Sequence, residues 1–385
     1  MTARRHDIDA LRIGAFALLI IYHIGMFYVP WGWHVKSTYI LPQLETVMGL
    51  LNPWRLTLLF LISGIATRLM SAKLTPPMLA AQRSSRLLIP LFFGIVFVVP
   101  PQSWAQAVEK TGYQDGFLAF WTHYLSFDQS FGIIVPTYNH LWFIAYLWLY
   151  TVIAIAFWRL LPTLDRLANR AFSGLGVTLI PIALFGAYRA FVFPRWGESH
   201  IIWADIYAHL HYGTAFVIGL LAANQDRAWS FLTRYRLLTL LSVPLILAVA
   251  LPLSSTWEDQ RGWRGETFAF LREAYAWIMI CALLGYAHHY IRRGSSFLTT
   301  LSAAIFPFYI IHQTAIVLTG HLISPYRFPL GMEATIILGA TVASCVAAYF
   351  LALKIPALRV PLGLKPETDI PPIFFSNKPP LGKFR

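Results

Sequence analysis

Runs of about twenty predominantly apolar residues, the length of a bilayer-crossing helix, recur along almost the whole chain between short polar turns. They predict transmembrane helices near 10–29, 48–70, 87–105, 139–158, 174–193, 205–223, 236–253, 271–291, 298–319 and 333–353. The fold class that follows is all-α. One polytopic membrane domain of about ten spans occupies 1–355, since only satisfied backbone can cross lipid. A Pro-rich tail follows over 356–385 and should be extended. No repeat at a fixed period is visible. The first apolar run is not read as a cleaved signal peptide. Met26-Phe27-Tyr28-Val29-Pro30-Trp31 stands where a cleavage site would need small residues.

Composition agrees with this pattern. The 385 residues are 57% hydrophobic and 12% charged, against about 25% charged in a soluble protein. The net charge of +13 invites a nucleic-acid reading, but its distribution argues against one. With the N-terminus inside, most of the 30 Lys and Arg fall on cytoplasmic segments, which is the positive-inside pattern. The basic balance therefore reports topology, with N- and C-termini both cytoplasmic. Cys281 and Cys345 lie within spans, so a disulfide framework is not expected.

The outer loops are long and aromatic. Segment 30–47 carries Trp31, Trp33, His34 and Tyr39, and segment 106–138 carries Tyr113, Trp121, His123, Tyr124 and Phe127. Segments 194–204 and 254–270 set Trp196, Trp203, Trp257 and Trp263 beside Glu198, Glu258, Asp259 and Arg261. Two readings stand: interfacial aromatic belts, or a surface on which sugars stack.

The first span holds the most informative pair, Arg12 and His23. Only Tyr22 among the ten residues between them carries a polar side-chain atom. Eleven positions at about 100° each make nearly three turns, so both side chains share a face, roughly 16 Å apart along the axis. Ionisable groups cost about 2.5–3.5 kcal/mol each in a span, and they persist where they have a task. An imidazole titrating near neutrality suits a general base. Arg83 and Arg86, an i,i+3 pair at the cytoplasmic opening of the third span, read either as topology anchors or as an anion clamp. With Arg12 they would suit a phosphorylated cytosolic donor such as coenzyme A. His312 matches His23 in depth. Arg55 follows Pro53-Trp54 near the outer end of the second span and precedes Ser63-Gly64. Arg55 reads either as an interfacial snorkelling residue or, with Tyr22 and His312, as a candidate to line one polar chamber, and any of the three could stabilise an oxyanion. His140 and Trp142, at the outer mouth of the fourth span, and His209 and His211 on the sixth read as packing or interface residues. No phosphate loop, Cys-x-x-Cys site or nucleophile elbow occurs, and no metal is expected.

These residues together resemble the membrane-bound acyltransferase-3 family. Asp9-x-Leu-Arg12 with ten residues to His23 resembles its opening signature, with Asp9 as structural support. Arg83-x-x-Arg86 with Pro90 resembles its second motif, and Phe308-Tyr309-x-x-His312 its late-helix motif. Trp31-x-Trp33-His34-Val35 and Arg55 with Ser63-Gly64 are most similar to the branch that succinylates periplasmic glucans. The resemblance covers most of 7–320. It implies O-acyl transfer from cytosolic acyl-CoA, succinyl-CoA or acetyl-CoA, to a periplasmic glucan or other glycan, within the lipids of a bacterial inner membrane. His23 would be the base, and Arg12, Arg83 and Arg86 would contact the donor. There is one departure. A Trp-Ser-Leu-x-x-Glu run of other members is replaced here by Trp142-Phe143-Ile144-Ala145-Tyr146-Leu147, so no catalytic carboxylate carries over to this helix. Intramembrane His and Arg also fit a transporter or flippase of an anionic or glycosylated lipid, although no inverted repeat is visible.

Overall fold

The computed structural model describes residues 4–130, 132–254 and 262–366. The described residues form helices and contain no strand. Among the described residues, nine helices are long and apolar enough to cross a membrane. In chain order they and the shorter helices are α1 (His6–Tyr28), α2 (Leu44–Ser71), α3 (Pro76–Thr111), α4 (Phe117–Leu125), α5 (Asn139–Ala156), α6 (Leu161–Ala171), α7 (Gly176–Trp196), α8 (Ile206–Ala222), α9 (Asp226–Arg234), α10 (Arg236–Leu253), α11 (Gly262–Tyr290), α12 (Ser296–Tyr326), α13 (Leu330–Lys354) and α14 (Pro356–Arg359). The expected sixth span corresponds to α8, whose 17 residues reach the spanning length only together with α9. A bend of 102° separates those two helices, so the count is nine, or ten if the bent pair crosses as one.

Helix α3 departs most from the apolar pattern. It begins at Pro76 and runs for 36 residues, so the polar turn carrying Arg83 and Arg86 lies inside the helix rather than at its start. The Pro100-Pro101 pair does not end it. A π turn over Gly94–Val98 precedes the prolines, and the Trp121 indole donates to Val96 O at 2.9 Å, the acceptor that Pro100 cannot reach for want of an N–H. Helix α7 carries a similar π turn, Tyr188–Val192, just before Pro194.

Helix α1 sits among α2, α11 and α12, which places its Arg12–His23 face inside the bundle. Helices α2 and α8 form the closest pair because two glycines permit it. A Cβ on Gly64 would stand 2.0 Å from Phe216 O, and one on Gly219 would stand 1.9 Å from Leu61 O. This is the small-residue contact by which membrane helices approach. Helix α10 is the most peripheral span, with only 17% of its apolar window inside the protein.

The tail also differs from expectation. Past residue 355 the chain makes the short helix α14, and Arg359, Leu362 and Leu364 are buried. Arg359 Nε donates to Lys365 O at 3.1 Å, which closes the turn on itself.

Candidate active site

The histidines of α1 and α12 meet. His23 Nδ1 and His312 Nε2 are 2.8 Å apart. The ring planes differ by 9° with centroids 5.0 Å apart, so the rings lie end to end in nearly one plane, where an in-plane lone pair meets an N–H. The proton positions follow from the neighbours. His312 Nδ1 is 2.7 Å from Tyr309 O, and a carbonyl can only accept, so Nδ1 carries the proton and Nε2 is the acceptor. His23 must then donate from Nδ1. Its Nε2 is left as a bare lone pair with no hydrogen-bond partner among the described residues. His312 is fully buried, whereas His23 keeps accessible surface. The Trp33 ring from the following loop lies 6.4 Å from His23 at an interplanar angle of 25°.

A second chain of polar side chains runs behind the pair. His140 packs edge-on to His312, with centroids 5.2 Å apart, and donates from Nε2 to Ile310 O at 2.9 Å. Gln102 faces His140 Nδ1 at 3.4 Å and donates to Thr314 Oγ1 at 3.1 Å. Gln313 donates to Gln102 Oε1 at 2.9 Å and contacts His34 Nε2 at 3.0 Å. The other His34 nitrogen bonds Gln106 Oε1. Burial pushes the His34 imidazole down to about 4, against the raising effect of Gln106, and keeps it neutral at physiological pH. The network thus joins the outer loop to the histidine pair, and buried polar groups of this kind fix a single arrangement only when all are satisfied.

Sequence reasoning placed His140 as a packing residue at the outer mouth, and it missed Gln102, Gln106 and Gln313. His140 does sit at the start of α5, but Asn139 turns the chain there with φ 40° and drops the imidazole into the core. Gln313 had a signal, since it adjoins His312. Gln102 follows the Pro100-Pro101 pair and carried none.

Arg55 lies eleven residues past the start of α2, and only 3% of it is exposed. Its guanidinium stands over the Tyr22 ring, 3.6 Å from the centroid. Asn52 Nδ2 donates to the Tyr22 hydroxyl at 2.9 Å and so holds that ring. Arg55 Nε and Nη1 have no partner, and no carboxylate pairs with this residue among the described residues. Both His23 and His312 lie within its electrostatic range. The Tyr22 ring face is therefore its main neighbour, and a buried guanidinium with two unsatisfied nitrogens can meet negative charge.

At the other end of α1, Arg12 donates to Asp9 Oδ1 at 3.1 Å and to Ser302 Oγ on α12. Asp9 also accepts from Arg4 Nε at 2.8 Å. Arg83 donates to Thr67 Oγ1 on α2, and Arg12 and Arg86 lie within its electrostatic range. The three arginines therefore share one end of the bundle, and α1 runs unbroken from there to His23.

The remaining candidates are placed elsewhere. His209 donates to Ile202 O at 2.6 Å, and His211 meets Thr57 Oγ1 at 2.9 Å, so both brace α8. Trp142 stacks on His200 with centroids 4.2 Å apart. His200 contacts Glu198 at 2.9 Å, and Glu198 accepts from Tyr212 OH, also at 2.9 Å. Burial alone would raise the Glu198 carboxyl, but the hydrogen bonds from His200 and Tyr212 hold it below its usual range. Tyr212 is within electrostatic range of Arg55, so a carboxylate absent from α5 enters the neighbourhood from the loop after α7. The loop aromatics divide. Tyr124 donates to Thr137 O at 2.9 Å, whereas Trp203 and Trp263 are exposed. Trp257, Glu258, Asp259, Arg261 and the tail beyond 366 lie outside the described residues. No three His, Cys, Asp or Glu side chains gather as a metal site among the described residues.

Comparison with known proteins gives the family. Residues 5–353 match the acyltransferase domain of the acyltransferase-3 family. Among curated proteins, the chain is 23% identical to "Glucans biosynthesis protein C" of Shigella dysenteriae over 94% of its own length and 95% of that protein. It is 22% identical to the protein of the same name from Salmonella gallinarum, over 98% and 96%. The Escherichia coli K12 counterpart is 23% identical over 94% and 95%. No solved structure matches. The chain belongs to the acyltransferase-3 family, and it is a membrane acyltransferase.

Proposed function

We propose that this protein is an acyl-CoA-dependent O-acyltransferase of the bacterial inner membrane. It moves a succinyl or acetyl group from cytosolic acyl-CoA to a hydroxyl of a periplasmic glucan or related glycan. The observation that carries the reading is the hydrogen bond from His23 to His312, which leaves the His23 Nε2 lone pair free near a buried arginine that has no carboxylate partner among the described residues. The names of the relatives support a glucan acceptor.

The roles follow from charge and position. Arg12, Arg83 and Arg86 grip the phosphates of the donor at their end of the bundle. The roughly 16 Å from Arg12 to His23 is spanned by the pantetheine arm, which brings the thioester to the imidazole. His23 Nε2 takes the proton of the acceptor hydroxyl as its oxygen attacks the thioester carbon. His312 Nε2 accepts from the resulting imidazolium and stabilises it, while Arg55 faces the oxyanion. Collapse breaks the C–S bond, and the CoA thiolate recovers the proton from His23 Nε2, so atoms and charge balance.

The test is transfer by purified protein in detergent, where no gradient exists. Incubation with succinyl-CoA or acetyl-CoA and a glucan oligosaccharide should release CoA and form a glycan ester. Gradient-dependent movement of a lipid in vesicles, with no CoA release, would point to transport instead.

A further inference from the structure

Three basic clusters far apart in sequence take no part in that chemistry. They are Arg4-Arg5 at the head of α1, Arg234 and Arg236 at the junction of α9 and α10, and Arg292 beyond α11. The fold gathers them around one cleft of about 740 Å³, within the size range of small-molecule sites. Five arginines line it against two aspartates, Asp7 and Asp226. Asp7 is already engaged by Arg5 at 2.7 Å and by His288 at 2.9 Å. Trp229 supports Arg5 from below, 4.0 Å from ring centroid to guanidinium. The balance of charge is positive, and forked guanidinium groups suit phosphate.

The rim says where that phosphate comes from. Arg236 is the first residue of α10, the most peripheral span, and the residues after it, Leu237, Leu238, Leu241 and Leu245, are all exposed. Tyr286 and Tyr290 stack beside Arg236, at 5.9 and 5.8 Å from its guanidinium, as interfacial anchors do. A basic cleft therefore opens directly onto an apolar stripe that faces lipid. We propose that this cleft binds the headgroup of an anionic phospholipid, with the phosphate among Arg234, Arg236 and Arg292 and the acyl chains along α10. Basic pockets between transmembrane helices take diphosphate headgroups such as cardiolipin in this way. A soluble phosphate ligand would make no use of the leucine stripe.

The experiment uses the full-length protein in detergent, with retained lipid measured by native mass spectrometry and unfolding followed by temperature. Cardiolipin should remain bound and raise the midpoint, phosphatidylglycerol should do so more weakly, and phosphatidylcholine should do neither. Adenosine 3′,5′-bisphosphate is the soluble-phosphate arm and should not displace the lipid. The Arg234→Gln, Arg292→Gln double variant removes two exposed charges and should bind cardiolipin about 30-fold more weakly, at about 1 kcal/mol per arginine. Equal retention of phosphatidylcholine, displacement by the bisphosphate, or unchanged affinity in the double variant would each overturn the proposal. The lipid comparison on the unmodified protein decides the matter even if the double variant does not fold.

Discussion

His23 donates its Nδ1 proton to His312 Nε2 across 2.8 Å, in rings only 9° from coplanar. That one contact fixes which His23 nitrogen carries the proton and which is left as a lone pair. Tyr309 O fixes the His312 tautomer, His312 fixes the His23 tautomer, and the His23 Nε2 lone pair is held in place from two residues away.

If His23 Nε2 is the base, His23→Ala should insert and fold but lose at least about a hundredfold in transfer, the lower end of what general-base catalysis supplies. Initial rates of CoA release by protein of matched monodispersity measure it. Near-wild-type turnover would remove His23 from the mechanism.

If His312 positions His23 rather than reacting itself, its variants should divide by their ability to accept a hydrogen bond. A glutamine can offer Oε1 to the His23 Nδ1–H, and a leucine cannot. His312→Leu should therefore lose about a hundredfold or more in kcat with little change in KM, and His312→Gln should recover part of that loss. Equal losses in both, or a loss confined to KM, would contradict the tautomer argument.

Arg12 and His23 stood out in the sequence as ionisable groups at the two ends of an apolar run. Arg55 read either as a snorkelling residue at the outer end of its span or as a chamber lining, and its burial against Tyr22 came only with the structure. Matched depth also paired His23 with His312 along the membrane normal. What the sequence could not supply was azimuth. A histidine thirteen residues into a span can face any neighbour, and only the packing of α1 between α2 and α12 brings the two rings together. His140 and Glu198 were harder still, because each is delivered by a loop conformation, Asn139 and Gly197 having φ 40° and 59°. Gln102 depends on a π turn that no apolar periodicity announces. The ends of α3 were misjudged because a helix can extend beyond its apolar stretch wherever polar side chains such as Arg83 and Gln106 find partners inside the bundle.

The unpaired state of Arg55 leads to a selectivity test. If it stabilises the oxyanion, Arg55→Gln should lower kcat for succinyl-CoA and acetyl-CoA alike, by about 10²–10³. If it instead held the distal carboxylate of the acyl group, succinyl transfer alone would collapse. The ratio of the two kcat/KM values, before and after substitution, separates these outcomes, and the oxyanion role predicts a constant ratio.

The contact of α2 with α8 should tolerate almost no added volume. Gly64→Ala and Gly219→Ala each drive a methyl into backbone carbonyl oxygen, at 2.0 and 1.9 Å, and backbone cannot rotate away as a side chain can. Overpacking of this kind costs about 1–3 kcal/mol, occasionally more. Because α2 carries Arg55, the strain should also reach activity. Unfolding midpoints in detergent provide the check, and an unchanged midpoint in both variants would mean that the helices are further apart than this.

His34 gives the fold a pH dependence of definite sign. Its imidazole is held neutral, pushed down to about 4 chiefly by burial, while an unfolded histidine titrates near about 6.5. Between those values the unfolded chain binds the extra proton, so stability rises with pH. The contribution is fully present above about 6.5 and is lost as pH falls toward about 4. Carboxylates titrate over the same acid range, so the informative quantity is a difference. His34→Gln keeps polar contacts available to Gln106 and Gln313 but cannot charge. Its midpoint should fall less steeply from pH 7 to pH 4.5 than that of the unmodified protein. Parallel pH profiles would show that protonating His34 costs the folded state nothing, and that the chain from the outer loop to the histidine pair is looser than its hydrogen bonds indicate.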